Sequence, residues 1–122
     1  MNPRQLEYFR QRLLRWRQEL LDESRQTLEH LREDSDGVGD DADRATSEST
    51  RSFELRTRDR YRKLLNKITE ALNRIEDGSY GYCEVTGEEI GLDRLGARPI
   101  ATMTVHAQED YERYKSRFAN DR

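Results

Sequence analysis

Apolar residues recur at helical spacing in two long stretches of the chain. In the first, Leu6, Phe9, Leu13, Trp16 and Leu20 follow one another at intervals of three and four, the spacing that lets one helix lay a seam along another. Thr27 and Leu31 continue that seam more weakly. In the second stretch Tyr61, Leu65, Ile68, Leu72 and Ile75 repeat the pattern, with Phe53 lying further toward the first. Both seams are rich in apolar residues far from the segment that joins them and polar close to it. The pattern predicts two helices of about 30 residues, each about 45 Å long at ~1.5 Å per residue. They pack as an antiparallel coiled-coil hairpin that is firm at its base and looser at its tip.

The joining segment, Glu33 to Ala45, holds the carboxylates of Glu33, Asp34, Asp36, Asp40, Asp41 and Asp43 and no base before Arg44, and Gly37 and Gly39 interrupt it. Such a run reads first as a turn, because Gly accepts the left-handed conformation that ends a helix and Asp caps the next one. The second helix is expected over Arg44 to Asp77, with Asp40, Asp41 and Asp43 at its start and Gly78 just past its end. Glu54 with Arg58, Asp59 with Lys63 and Glu70 with Arg74 are i,i+4 pairs in the favoured order, each worth a few tenths of a kcal/mol.

After Ser79 the periodicity breaks. Turn glycines and aromatic residues alternate in Tyr80-Gly81-Tyr82-Cys83-Glu84-Val85-Thr86-Gly87, which reads as a compact irregular module with Val85, Ile90, Leu95, Ile100, Met103 and Val105 as its core. Tyr111, Tyr114 and Phe118 then fall on one helical face, expected to pack on the base of the hairpin. The division is residues 1–77 for the hairpin, with its tip at about 33–45, 78–103 for the module and 104–122 for the C-terminal helix.

Composition sharpens this picture. Only 33% of the 122 residues are apolar and 39% are charged, against ~45–50% and ~25% in ordinary globular domains. A net charge of −3 and clear periodicity argue for a solvated coiled coil rather than disorder. No apolar run approaches the ~18 residues of a membrane span, and the N-terminus lacks a signal-peptide core; the expected location is the cytoplasm, with no membrane partner. The single Cys83 agrees with a reducing compartment. Charge is divided along the second helix, where Arg51, Arg56, Arg58, Arg60, Arg62, Lys63 and Lys67 outweigh Glu54 and Asp59. An acidic tip on a basic shaft suits insertion into a partner of mixed charge better than wrapping of duplex DNA.

Several chemistries fail on inspection. Asp34, Asp36 and Gly39 imitate three positions of a calcium loop, but Val38 and Ala45 stand where ligands are required. His30 and His106, the two histidines, have no visible nucleophile partner, and no catalytic residue is assigned.

The residues Asp77-Gly78-Ser79-Tyr80-Gly81-Tyr82-Cys83, Gly87-Glu88-Glu89-Ile90 and Arg94-Leu95-Gly96-Ala97-Arg98-Pro99, in that order after a hairpin, closely resemble the DksA/TraR family over nearly the whole chain. The resemblance implies a regulator that binds RNA polymerase and puts its coiled-coil tip through the secondary channel toward the active site, modulating initiation at ribosomal and amino-acid promoters. It implies a monomer with no enzymatic activity and no sequence-specific DNA binding. The family's tip pattern Asp-x-x-Asp-x-Ala falls on Asp40, Asp43 and Ala45, and its proline after the first Asp is Asp41 here, which adds charge and leaves the approach less rigid. The four zinc-binding cysteines of the family fall on Cys83, Thr86, Thr104 and Ala107; hydroxyl and methyl groups do not replace thiolates, so the expectation is a finger-like module without zinc and with no required cofactor. The family also binds guanosine tetraphosphate as a co-regulator at its interface with polymerase, and Leu64, Lys67, Arg98 and Gln108 occupy the matching positions, Gln108 replacing a basic residue. The alternative is a transcript-cleavage factor whose tip carboxylates recruit Mg²⁺ to the polymerase site. A DNA-binding finger is the third reading, disfavoured by the acidic balance.

Overall fold

The computed structural model describes the backbone of residues 1–36 and 43–120, and side chains within 1–33 and 47–119. Among the described residues four helices follow one another: α1 (Pro3–Asp36), α2 (Asp43–Asp77), α3 (Leu92–Ala97) and α4 (Val105–Asn120). Two compact units form, one from Met1–Arg10 with Glu70–Arg122 and the other from Gln11–Thr69, and both long helices contribute to each.

The start of α1 is fixed by a reciprocal cap. Asn2 Oδ1 accepts from the Gln5 N–H at 2.9 Å while Gln5 Oε1 accepts from the Asn2 N–H at 3.0 Å, so two orphan donors are satisfied together. Pro3 follows as the first helical residue, where its missing N–H costs nothing. The end of α2 is equally definite. Gly78 takes φ 86°, and the Ser79 N–H folds back onto the Arg74 carbonyl at 3.0 Å, closing the helix in a Schellman turn. Asp77 locks that turn by accepting from both the hydroxyl and the N–H of Ser79, and these bonds hold its carboxyl below the usual value.

In the Gln11–Thr69 unit the arms run antiparallel. Tyr61 Oη donates to Glu23 Oε1 at 3.1 Å and lies 3.3 Å from Thr27 Oγ1, while Arg32 pairs with Glu54 at 3.7 Å; positions rise along α1 as they fall along α2. Leu13 and Ile68 are fully buried, with Leu20 and Tyr61 buried beside them, which is the expected seam. Phe53 is half exposed, and among the described residues the buried position of α2 nearest the bend is Thr57 instead. Its hydroxyl donates to the Phe53 carbonyl one turn back at 2.9 Å, so a polar side chain enters the seam with its donor satisfied.

In the other unit Phe9 meets the ring of Tyr80 at 5.8 Å, and the buried Tyr80 hydroxyl donates to the Pro99 carbonyl at 2.8 Å. The chain between them doubles back as a short antiparallel pairing of Tyr82 with Glu89, closed by the Cys83 N–H to Glu88 O at 2.8 Å and the Ile90 N–H to Gly81 O at 2.8 Å. Ile90, Leu95, Ala101 and Ala107 are buried here. Arg74 does not use Glu70; it bonds Glu84 at 2.9 Å, and Glu84 in turn accepts from Thr102 at 3.2 Å.

Two expectations fail in this unit. Val85 and Val105 are 67% and 52% exposed. Val85 sits in a turn whose amides converge inward on Cys83, which sends its side chain out, and Val105 is the first residue of α4. The aromatic side chains of α4 are likewise exposed, Tyr111, Tyr114 and Phe118 at 48%, 67% and 59%, and α4 buries Ala107 in its first turn instead.

Ile68→Ala is expected to destabilise the protein by about 2–5 kcal/mol, because the removed methylenes leave a cavity at a fully buried position. Leu55→Ala, more than three turns nearer the bend at ~3.6 residues per turn and mostly exposed, is expected to change stability by less than about 0.5 kcal/mol. Urea unfolding followed by circular dichroism measures both; equal effects would show that the seam is not what holds the arms together.

Candidate functional site

Four sets of residues bear on function, and the structure treats them differently. Of the tip, Asp40 lies outside the described residues; Asp43 and Ala45 lie in the first turn of α2, and their side chains lie outside the described residues too.

The basic shaft is solvent-facing and partly self-neutralised. Arg58 pairs with Glu54 at 3.0 Å, and Arg62 and Lys63 both bind Asp59, at 2.6 and 3.0 Å. The Lys63 and Arg62 bonds hold the Asp59 carboxyl below its usual value. Arg60 lies over the Tyr61 ring at 5.7 Å. Between the arms an open groove of about 820 Å³ is lined by Leu28, Leu55 and Leu65 with Arg56, Arg58 and Arg62 along it.

Of the four nucleotide positions, Leu64 and Lys67 belong to α2 in the Gln11–Thr69 unit, Leu64 half-buried and Lys67 exposed. Arg98 ends α3, donating its N–H to the Arg94 carbonyl at 2.7 Å, and its side chain is exposed. Gln108 sits in the first turn of α4 and donates from its amide to Glu112 at 3.2 Å.

The four finger positions are brought together, and each has work. Cys83 is 3% exposed. Burial alone would raise its thiol, but the Thr86 hydroxyl and the N–H groups of Thr104, Thr86 and Val85 donate to the sulfur and outweigh it, bringing the value from 9.0 down to about 7. Thr86 serves twice, since its Oγ1 also accepts from the Glu88 N–H at 3.2 Å. Thr104 is the N-cap of α4: its Oγ1 accepts from the Ala107 N–H at 3.1 Å and its carbonyl from the Gln108 N–H at 2.9 Å, satisfying donors that an uncapped helix would leave open. Ala107 contributes a small buried face. The signal for the capping role of Thr104 is a hydroxyl directly ahead of the Val105-His106-Ala107 run that opens the helix.

A helical hairpin and a knuckle-and-helix module in which one chain reversal surrounds a cysteine define a hairpin protein with a finger-type module. Residues 5–75 match the family described as DnaK suppressor protein DksA, N-terminal domain, and residues 78–113 match the prokaryotic dksA/traR C4-type zinc finger. The chain belongs to the DksA/TraR family. It is 64% identical to an RNA polymerase-binding transcription factor DksA of Caulobacter vibrioides over 93% of its own length and 80% of the relative's. A shorter likeness, 56% over 32% of this chain and 24% of the relative, links it to general stress protein 16O of Bacillus subtilis. Among solved structures, transcription factor DksA2 from Pseudomonas aeruginosa superposes with a TM-score of 0.84 at 44% identity, covering 95% of this chain and 89% of that one.

The zinc-finger match corrects the expectation of a module without zinc and with no required cofactor: the module belongs to a C4-type zinc-finger family, and zinc is a property of that family. The donor set here does not fit four-thiolate ligation. One thiol, two hydroxyls and a methyl occupy the positions, and among the described residues no group of three or more His, Cys, Asp or Glu side chains is placed to hold a metal ion.

The hydrogen bonds to Cys83 have a measurable signature. The thiol of the folded protein ionises below the unfolded value, so between those values the unfolded chain binds more protons and stability rises with pH. The contribution of Cys83 is therefore full above the ordinary thiol value and is lost as pH falls through about 7. The stability difference between the parent and Cys83→Ser is expected to grow from about pH 6 to about pH 9. Thr86→Val should move the thiol back up, as read from thiolate ultraviolet absorbance against pH; an unmoved titration would show that Thr86 does not donate to the sulfur.

Proposed function

We propose that this chain is a transcription regulator that binds RNA polymerase in the cytoplasm and acts without catalysis of its own. The observation that carries this reading is the 64% identity, over 93% of the chain, to a protein named an RNA polymerase-binding transcription factor. In this reading the hairpin enters the secondary channel and presents Asp40, Asp43 and Ala45 near the polymerase active site, where carboxylates perturb the charge balance of the initiating complex. The exposed arginines of α2 and their partly neutralising acids supply the mixed surface that a channel of mixed charge would accept.

Retention of the chain by immobilised core RNA polymerase, followed by transcription from a ribosomal promoter, tests the reading; failure to bind would end it. Asp43→Asn removes one charge at nearly constant shape and lies far in sequence from the seam residues Leu13, Leu20 and Ile68. It is expected to leave the melting curve and polymerase affinity near those of the parent while the transcriptional effect falls at least about tenfold, a loss of ~1.4 kcal/mol of effective interaction. A variant that regulates as well as the parent would reduce the acidic bend to a simple turn.

The reading extends to Leu64, Lys67, Arg98 and Gln108 as the chain's share of a site, completed by polymerase, for guanosine tetraphosphate. Lys67 and Arg98 would make charge-assisted bonds to phosphate, the latter as a rigid fork, whereas Gln108 donates without charge. Lys67→Ala is expected to abolish the nucleotide's enhancement of regulation while leaving unaided activity intact, and Gln108→Lys to lower the nucleotide concentration needed. Titration in transcription reactions with polymerase lacking any separate site for the nucleotide measures both; equal responses from the parent and Lys67→Ala would remove these positions from the reading.

A further inference from the structure

The reading above leaves the exposed face of α4 unused. Tyr111 and Tyr114 project from it at 48% and 67% exposure, and Phe118, at 59%, prolongs the stripe one turn further, its ring stacked on that of Tyr114 at 6.4 Å. Ala107, Tyr111, Tyr114 and Phe118 recur at intervals of four, three and four, the seam of a helix that pairs with another. Of these four, Ala107 is buried. The charges beside the stripe are sorted by position: Glu109, Asp110 and Glu112 occupy the first half of α4, and Arg113, Lys115 and Arg117 the second.

That sorting selects the partner. A parallel copy of α4 would place acids beside acids and bases beside bases. An antiparallel copy does the reverse, and its register follows from the seam: Tyr111 of one chain meets Tyr114 of the other, and the twofold axis makes the same contact a second time. The positions flanking the stripe then bring Asp110 against Arg117 twice, opposite charges across the seam. Within its own helix Asp110 is held loosely, 3.4 Å from His106 and 3.9 Å from Arg113, so its pairing across the seam displaces little.

We propose that two copies of this chain associate through an antiparallel α4 pair centred between Tyr111 and Tyr114. Three aromatic side chains and their flanking charges fall well short of the roughly 20–30 residues a side of a standard interface, so the association is weak, with a dissociation constant on the order of 10⁻⁴ M. This inference does not rest on the polymerase reading.

Sedimentation velocity on the full chain, from about 10 to about 500 µM to bracket that constant, is expected to show a reversible monomer–dimer shift. Asp110→Arg and Arg117→Asp each set like charges against one another twice, and each alone should weaken self-association at least about tenfold. An equimolar mixture of the two restores opposite charges in both pairs, one as in the parent and one with its signs exchanged, and should recover the dimer. Tyr111→Ser with Tyr114→Ser should abolish it with helix content unchanged by circular dichroism. A parent that stays monomeric throughout, reversal variants that dimerise like the parent, or a mixture that remains monomeric would each overturn the proposal. So would loss of polymerase binding in the double tyrosine variant without any self-association of the parent, because that outcome assigns the face to polymerase.

Discussion

Scarcity of apolar side chains is the constraint under which this fold is built. With a third of its residues apolar and more than a third charged, the chain cannot surround a core, so each buried side chain must be shared between two elements. Leu13 and Ile68 do this along the arms, and Leu95 does it in the module. Polar groups fill the remaining interior only where their bonds are complete. Thr57 turns its hydroxyl onto its own helix, Tyr80 reaches the Pro99 carbonyl, and Cys83 gathers donors from three residues. Among the described residues no buried side-chain polar atom lacks a partner, which is what a thin core requires, since a single orphaned group would offset much of the stabilisation from one buried aliphatic side chain.

The helices were legible because periodicity survives a weak core. Spacing alone located Phe9, Leu13, Leu20, Tyr61 and Ile68, all of which are buried. It went wrong where geometry, not hydropathy, sets side-chain direction. Val85 is apolar, yet its backbone N–H is recruited to a sulfur and its side chain has nowhere to go but outward. Phe53 continues the seam by count, but the inward position there belongs to Thr57, so the stripe shifts by four residues and takes a hydroxyl. The reciprocal Asn2–Gln5 cap was readable from an Asn three residues ahead of a Gln, and was passed over because the apolar pattern had not yet begun.

The candidate site was legible to differing degrees. No pattern of charge or hydropathy singles out positions 83, 86, 104 and 107; only likeness to a family does. The structure nonetheless brings them together, and it gives the three that are not cysteine ordinary structural duties. Thr104 caps a helix, Thr86 donates to the sulfur and accepts from an amide, and Ala107 packs. Local backbone demands of this kind explain why a finger-shaped turn can persist around a changed set of side chains.

The hydroxyl of Tyr61 has a bearing on how the arms are aligned. It sits part-buried between the arms and is held by Glu23 and Thr27 together. Apolar seams are forgiving of sliding, since one leucine replaces another at each turn; a phenol that must find one carboxylate and one hydroxyl is not. Tyr61 thus behaves as an index pin on an otherwise smooth rail. Residues gained or lost in the bend would have to be absorbed by the bend itself, because the arms on either side are pinned in one register and cannot creep to accommodate them.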